Sequence, residues 1–163
     1  MEISACQGIK IWFWHVLWLS LINCESFKYL KEMKEERATR YRDKIDYIVS
    51  SLEAIPEEAE GDLEIRGVFY NLHTSIEAAM DLAAMLLKDG GKKVEDDYAN
   101  IEALEDSGKI TSQLALGLKK CNGLRNYLVH RYNKMDDKIA LGSVEEVRKI
   151  LYDFIEVVEK FSK

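Results

Sequence analysis

The chain has 163 residues, 47 % of them apolar and 32 % charged, with a net charge of −6. That length suits one domain with one core, and that balance excludes both a disordered chain and a membrane bundle. One proline (Pro56) and nine glycines are too few turn formers for an all-β fold, and the acidic total argues against non-specific nucleic-acid binding.

Residues 11–22 are strongly apolar and hold all three tryptophans, Trp12, Trp14 and Trp18. A membrane-spanning helix needs about 20 apolar residues, and this run is shorter and contains His15. A secretion signal has a basic start and a small-residue cleavage site. Here the start holds Glu2 and a single Lys10, and the exit is Asn23-Cys24-Glu25. Residues 1–25 therefore read as an apolar extension ahead of a helical domain over 26–163. Three readings of the extension stay open: a stretch upstream of a true start near Met33, an apolar anchor for an interface or partner, or a membrane signal, cleaved or retained. Spanning of a membrane by the domain itself is not expected.

The first bundle helix is expected over residues 37–55. Tyr41, Ile45, Ile48, Leu52 and Ile55 step by four, three, four and three and make one apolar face. Pro56, the Glu57-Glu58 pair and Gly61 end it. A second helix starts near Asp62, read as its N-cap, and carries Phe69, Leu72, Ile76, Ala79, Ala83 and Leu86. Val68, Met80, Met85 and Leu87 widen that stripe, so this helix is placed at the centre, and Gly90-Gly91 stops it. Residues 92–110 are more polar, with Tyr98, Ile101 and Leu104 marking one short helix before Gly108.

The next helix starts at Thr111 or Ser112 and reaches about Asn133, with Leu114, Leu118, Cys121, Leu124 and Leu128 facing the core. The last opens on a capping box, Ser143-x-x-Glu146, in which each side chain satisfies a free backbone N–H of the other residue. Val144, Val147, Leu151, Phe154, Val158 and Phe161 then keep helical period. The expected fold is all-α: an antiparallel four-helix bundle plus a short helix. Cys6, Cys24 and Cys121 are odd in number and form neither a C-x-x-C nor a zinc spacing, which fits a reducing, cytoplasmic setting. Cys121 reads as a small core residue.

No nucleotide-binding glycine loop, zinc-protease motif or nucleophile elbow is present. His73, in the central helix, reads as structural. The acid pairs Asp96-Asp97 and Asp136-Asp137 read as solvated, and no metal is expected. The charge is uneven, however. Residues 119–138 hold Lys119, Lys120, Arg125, Arg131, Lys134 and Lys138 against Asp136 and Asp137, a local net of +4 that leaves −10 for the rest. Within that window lies Arg125-Asn126-Tyr127-Leu128-Val129-His130-Arg131-Tyr132. Successive helical residues turn by about 100°, so Asn126 and His130 share a face while Arg125 and His130 diverge by about 140°. A long arginine narrows that gap, and so does a second copy of the helix across a two-fold axis. Tyr127 and Asp81 are further candidates by position alone. On residue types alone, a solvated polar face remains an alternative.

The stretch from Leu124 to Tyr132 resembles the signature of the HEPN superfamily, and within it the HepT-like branch: Arg-Asn, three residues, His, one residue, Tyr. The resemblance covers roughly residues 37–160 and excludes the N-terminal extension. It implies the toxin of a type VII-like toxin–antitoxin pair, a metal-independent endoribonuclease that works as a homodimer with the site at the interface. It implies as partner a minimal nucleotidyltransferase antitoxin of the MntA type, which silences the toxin by transferring AMP to a tyrosine. Carried over, Arg125 and His130 are catalytic, Asn126 supports them and Tyr132 accepts AMP. Lys119, Lys120, Arg131 and Lys134 are placed on the RNA backbone, and no cofactor is required. Two alternatives stand beside this: a non-catalytic helical subunit that assists a nucleotidyltransferase, and a plain interaction bundle.

Overall fold

A computed structural model of the chain describes residues 34–129 and 137–161. The apolar extension lies outside those residues. The chain divides into two units, residues 1–40 and 41–163. In the first, residues 34–40 are helical and mostly exposed, with Arg40 Nη2 3.6 Å from Glu36 one turn away. The second unit holds the rest of the described residues.

Helix α1 (residues 34–53) contributes residues 41–53 to this unit. Tyr41, Ile48, Leu52 and the following Ile55 are buried, and Ile45 packs against them, as the period predicts. Tyr41 donates its hydroxyl hydrogen to Asp89 at 2.7 Å, so its phenol is both packed and bonded. Lys44 pairs with Asp81. These two contacts set α1 antiparallel to α2 (Asp62–Asp89).

Helix α2 is the central element and touches α3 (Asp97–Asp106), α4 (Ser112–Val129), α5 (Asp137–Gly142) and α6 (Val144–Phe161). Val68, Phe69, Leu72, Ile76, Ala79, Ala83, Leu86 and Leu87 are all buried along it. A fully buried Leu or Ile contributes about 1.5–3 kcal/mol relative to exposure, so this stripe is the main source of stability. The N-cap differs from expectation. Gly61, at φ 86°, takes that position, and Asp62 is the first helical residue. Its carboxylate accepts from Arg66 Nε at 2.7 Å instead of capping the backbone. At the other end Gly90 caps the helix and Gly91, at φ 68°, reverses the chain as expected.

Asp96 caps α3: its Oδ1 accepts from the backbone N–H of Tyr98 and Ala99. Asn100, buried one turn in, accepts from the Glu95 N–H (2.8 Å) and donates to the Glu95 carbonyl (3.1 Å). That two-way bond fixes where the linker from α2 enters α3. Ile101 and Leu104 anchor α3 to the core. Thr111, the residue before α4, accepts from the Leu114 N–H at 3.2 Å, so the expected start is met.

Helices α3 and α4 are antiparallel, joined by Lys119–Glu102 (3.0 Å) and Arg125–Asp97 (2.9 Å). Helices α4 and α6 are antiparallel too, and touch closely. A Cβ on Gly117 would lie 3.0 Å from Ile150 Cγ1, so only glycine lets the two backbones approach this far. Two further points differ from the sequence reading. Helix α5 was not expected. The capping box is not formed: the Ser143 hydroxyl donates to the Ile139 carbonyl at 2.7 Å, closing α5, while Glu146 pairs with Lys120 at 3.1 Å. The fold class is as expected, all-α, and the described residues contain no strand. Among them no helix is long and apolar enough to cross a membrane, and no acidic, histidine or cysteine cluster suits a metal.

Cys121 lies buried in this core, and desolvation, with Glu146 nearby, pushes its thiol from 9.0 up to about 12. The folded state therefore holds its proton where the unfolded state gives it up. The stability from keeping Cys121 neutral is complete below pH 9 and falls as pH rises from 9 toward 12. In native protein at pH 8, Cys121 should resist a thiol reagent for hours and react within minutes after denaturation. Peptide mass mapping of the labelled protein checks this.

Candidate functional site

Arg125 stands near the end of α4, and its guanidinium reaches two other helices. Nη1 lies 2.9 Å from Glu77 Oε2 on α2 and 2.9 Å from Asp97 Oδ2 on α3. Nη2 donates to Asn126 Oδ1 at 3.3 Å. Nε is buried and has no hydrogen-bond partner. The side chain is only 19 % exposed, against 52 % for Glu77 and 29 % for Asp97. The arginine is thus held between two carboxylates that are both more exposed than it is.

This arrangement has a direct electrical consequence. Two carboxylates oppose one guanidinium, so the immediate surroundings of Arg125 are not a positive field. Its contribution to a bound anion comes through a position fixed in advance more than through net charge. Asn126 touches the same cluster through its carbonyl oxygen. Asn122, one turn before Asn126, is 2 % exposed, and its Oδ1 is buried and unpartnered.

The expected RNA-contacting lysines do not stand free. Lys119 pairs with Glu102 at 3.0 Å and Lys120 with Glu146 at 3.1 Å. His130, Arg131, Tyr132 and Lys134 lie outside the described residues, so Arg125 and Asn126 are the described part of the motif. Asp81 pairs with Lys44 of α1, away from the bonds that hold Arg125. Tyr127 is part-exposed, 38 %.

Sequence reasoning did not single out Glu77, Asp97 or Asn122. Each left a trace. Glu77 interrupts a buried run, with Ile76 before it and Ala78-Ala79-Met80 after it. Asn122 sits within the apolar stripe of α4, beside Cys121. Asp97 was read as one of a solvated pair, whereas Asp96 caps the helix and Asp97 binds the arginine.

The Ribonuclease HepT-like family model matches residues 23–158. A protein of Archaeoglobus fulgidus named as a candidate RNase is 58 % identical over 123 residues, covering 76 % of this chain and 93 % of that one. Among solved structures, a toxin–antitoxin complex with AMP-PNP superposes with a TM-score of 0.66 at 24 % identity, covering 73 % of this chain and 97 % of that chain. The tri-AMPylated Shewanella oneidensis HEPN toxin, bound to its MNT antitoxin, superposes with a TM-score of 0.61 at 22 % identity, covering 78 % and 96 %. At those identities the solved structures establish the shared helical fold. By the extent of the family match and the close archaeal relative, the chain belongs to the Ribonuclease HepT-like family.

Proposed function

We propose that this protein is a metal-independent endoribonuclease and the toxin of a toxin–antitoxin pair. The observation that carries the reading is Arg125, fixed by Glu77 and Asp97 at the head of the HepT-like motif. RNA brings its own nucleophile, the 2′-hydroxyl. Its oxygen attacks the adjacent phosphorus, the bond to the 5′-oxygen breaks, and a 2′,3′-cyclic phosphate remains. His130 takes the 2′-proton or supplies the 5′-proton, Arg125 binds the phosphate oxygens as their charge grows, and Asn126 orients the pair. Lys119 and Lys120, once RNA displaces their acidic partners, and Arg131 and Lys134 add backbone attraction.

The partner is a minimal nucleotidyltransferase of the MntA type. The Tyr132 phenol oxygen attacks the α-phosphorus of ATP, pyrophosphate leaves, and an AMP group stays two residues from His130. The added negative charge and bulk then repel an RNA phosphate. The active form is a homodimer in the cytoplasm, with the site at the interface, and residues 26–163 form the working domain. The related complexes, a toxin–antitoxin with AMP-PNP and an AMPylated HEPN toxin with its antitoxin, support this reading.

One observation favours a second reading, a non-catalytic helical subunit of a nucleotidyltransferase. The charge of Arg125 is already matched by two carboxylates.

The test is cleavage of a labelled RNA in EDTA by protein expressed without its partner. The expected outcome is cleavage that vanishes in His130→Ala and Arg125→Ala. Absence of cleavage over a broad RNA set, with Tyr132 shown by mass to be unmodified, favours the second reading. In protein co-expressed with the partner, mass spectrometry should find one or more AMP units on the Tyr132 peptide. The double variant Glu77→Gln/Asp97→Asn should slow cleavage roughly tenfold to a hundredfold by freeing Arg125 from its aim. An unchanged rate in single-turnover kinetics would show that the two acids are dispensable.

A further inference from the structure

Helical period groups Tyr98 with Ile101 and Leu104 as the apolar residues of α3. The structure separates them. Ile101 and Leu104 are fully buried, whereas Tyr98 is 41 % exposed. Its hydroxyl lies 3.6 Å from where a Cβ on Gly123 of α4 would stand. Among the described residues that hydroxyl has no hydrogen-bond partner. A tyrosine hydroxyl packed against protein usually finds one, so this phenol keeps its donor for something else. The contact a Cβ on Gly123 would make is an ordinary one, so alanine would fit there and would suit a helix interior better. What glycine leaves is bare α4 backbone beside the phenol.

Three contacts lay α3 along α4. Glu102 pairs with Lys119 at 3.0 Å, the Tyr98 hydroxyl rests at Gly123, and Asp97 pairs with Arg125 at 2.9 Å. On α4, Lys119, Gly123 and Asn126 stand four and then three residues apart, so they share one face. The helix rises about 4.5 Å from Gly123 to Asn126, and Asn126 accepts from Arg125. The hydroxyl is thus about one helical turn from the Arg125–Asn126 pair, with Lys119 about one turn away on the other side. Consecutive phosphates of a nucleic-acid strand are separated by a comparable distance. The acids of α3 on this side are already matched: Asp96 by the N–H groups of Tyr98 and Ala99, Asp97 by Arg125, and Glu102 by Lys119. Tyr98 is the neutral donor among them, and a neutral hydroxyl can meet a phosphate without first giving up a counter-ion.

We propose that the Tyr98 hydroxyl donates a hydrogen bond to the RNA phosphate next to the one held at Arg125, which makes Tyr98 a substrate-binding residue. The inference rests on the ribonuclease reading above. No bond of that neighbouring phosphate forms or breaks, so the contact is as strong before the reaction as in the transition state. Such a contact lowers the concentration needed for saturation and leaves the maximal rate unchanged. Phosphates carry no sequence information, so the contact acts alike on every RNA that the protein cuts.

The test uses full-length protein expressed without its partner and checked by mass to be unmodified. Single-turnover cleavage in EDTA is followed over a range of protein concentrations for wild type, Tyr98→Phe and Tyr98→Ala. The RNAs differ in the nucleotides that flank the cut. Tyr98→Phe removes the hydroxyl and keeps the ring. It should raise the half-saturating concentration about fivefold to twentyfold, with the maximal rate within twofold of wild type and the circular dichroism melt unchanged. The shift should be the same on each RNA, and Tyr98→Ala should match it or exceed it. Four results overturn the inference and leave the ribonuclease reading intact. One is a Tyr98→Phe shift under threefold, which assigns any loss in Tyr98→Ala to the ring. The second is an effect on maximal rate alone. The third is a shift on one RNA and not on others, which marks a base contact. The fourth is a lowered melt in Tyr98→Phe, which makes the hydroxyl structural. A wild-type protein that cuts none of the RNAs overturns the ribonuclease reading, and the inference with it.

Discussion

The contact on which the site depends is Arg125 between Glu77 and Asp97. It joins three helices at one guanidinium. Helix α3 has ten residues, fewer than an isolated helix needs to hold itself in water. It exists because the Asp96 cap, the Asn100–Glu95 bonds, the buried Ile101 and Leu104, and the ion pair to Arg125 all act on it. Removing either acid leaves a mostly buried cation with less compensation, which costs more than the intact pair is worth. The same contact that orders α3 therefore also orients the arginine, and stability and function are not separable there.

The ion pair also changes how the charge of the chain is understood. Along the sequence, residues 119–138 form a basic island in an acidic chain. In three dimensions, acids from other elements come to meet it: Glu102 at Lys119, Glu146 at Lys120, and Glu77 with Asp97 at Arg125. A window of sequence counts charges that are neighbours in the chain, whereas a ligand meets charges that are neighbours in space. Among the described residues, Lys119, Lys120 and Arg125 each have a local counter-ion, which weakens their field at a distance.

Much of the fold was legible because burial follows period. The faces of α1, α2 and α6 were set by apolar steps of three and four, and Gly90, Gly91 and Gly108 stopped helices where they were expected to. The misses share a cause. Asp62 and Ser143 have side chains that bond equally well to a backbone N–H, a carbonyl or a neighbouring arginine, and local pattern does not choose among them. Ser143 closes α5 because the Ile139 carbonyl is within reach, and α5 itself is too short for periodicity to reveal. Within the site, the motif named Arg125 and Asn126. Their partners Glu77 and Asp97 come from helices 48 and 28 residues away in sequence, a relation that only packing creates. The residues from His130 to Lys134 lie outside the described ones, so that half of the motif rests on the sequence alone.

The notch at Gly117 has a mechanical meaning. Ile150 of α6 fills the space that a side chain on α4 would take. With Ile150 seated in that notch, the close-packed interior ties the axial position of α6 to that of α4. Helix α4 thus behaves as an anvil, keyed to α6 at one end and carrying Arg125 near the other.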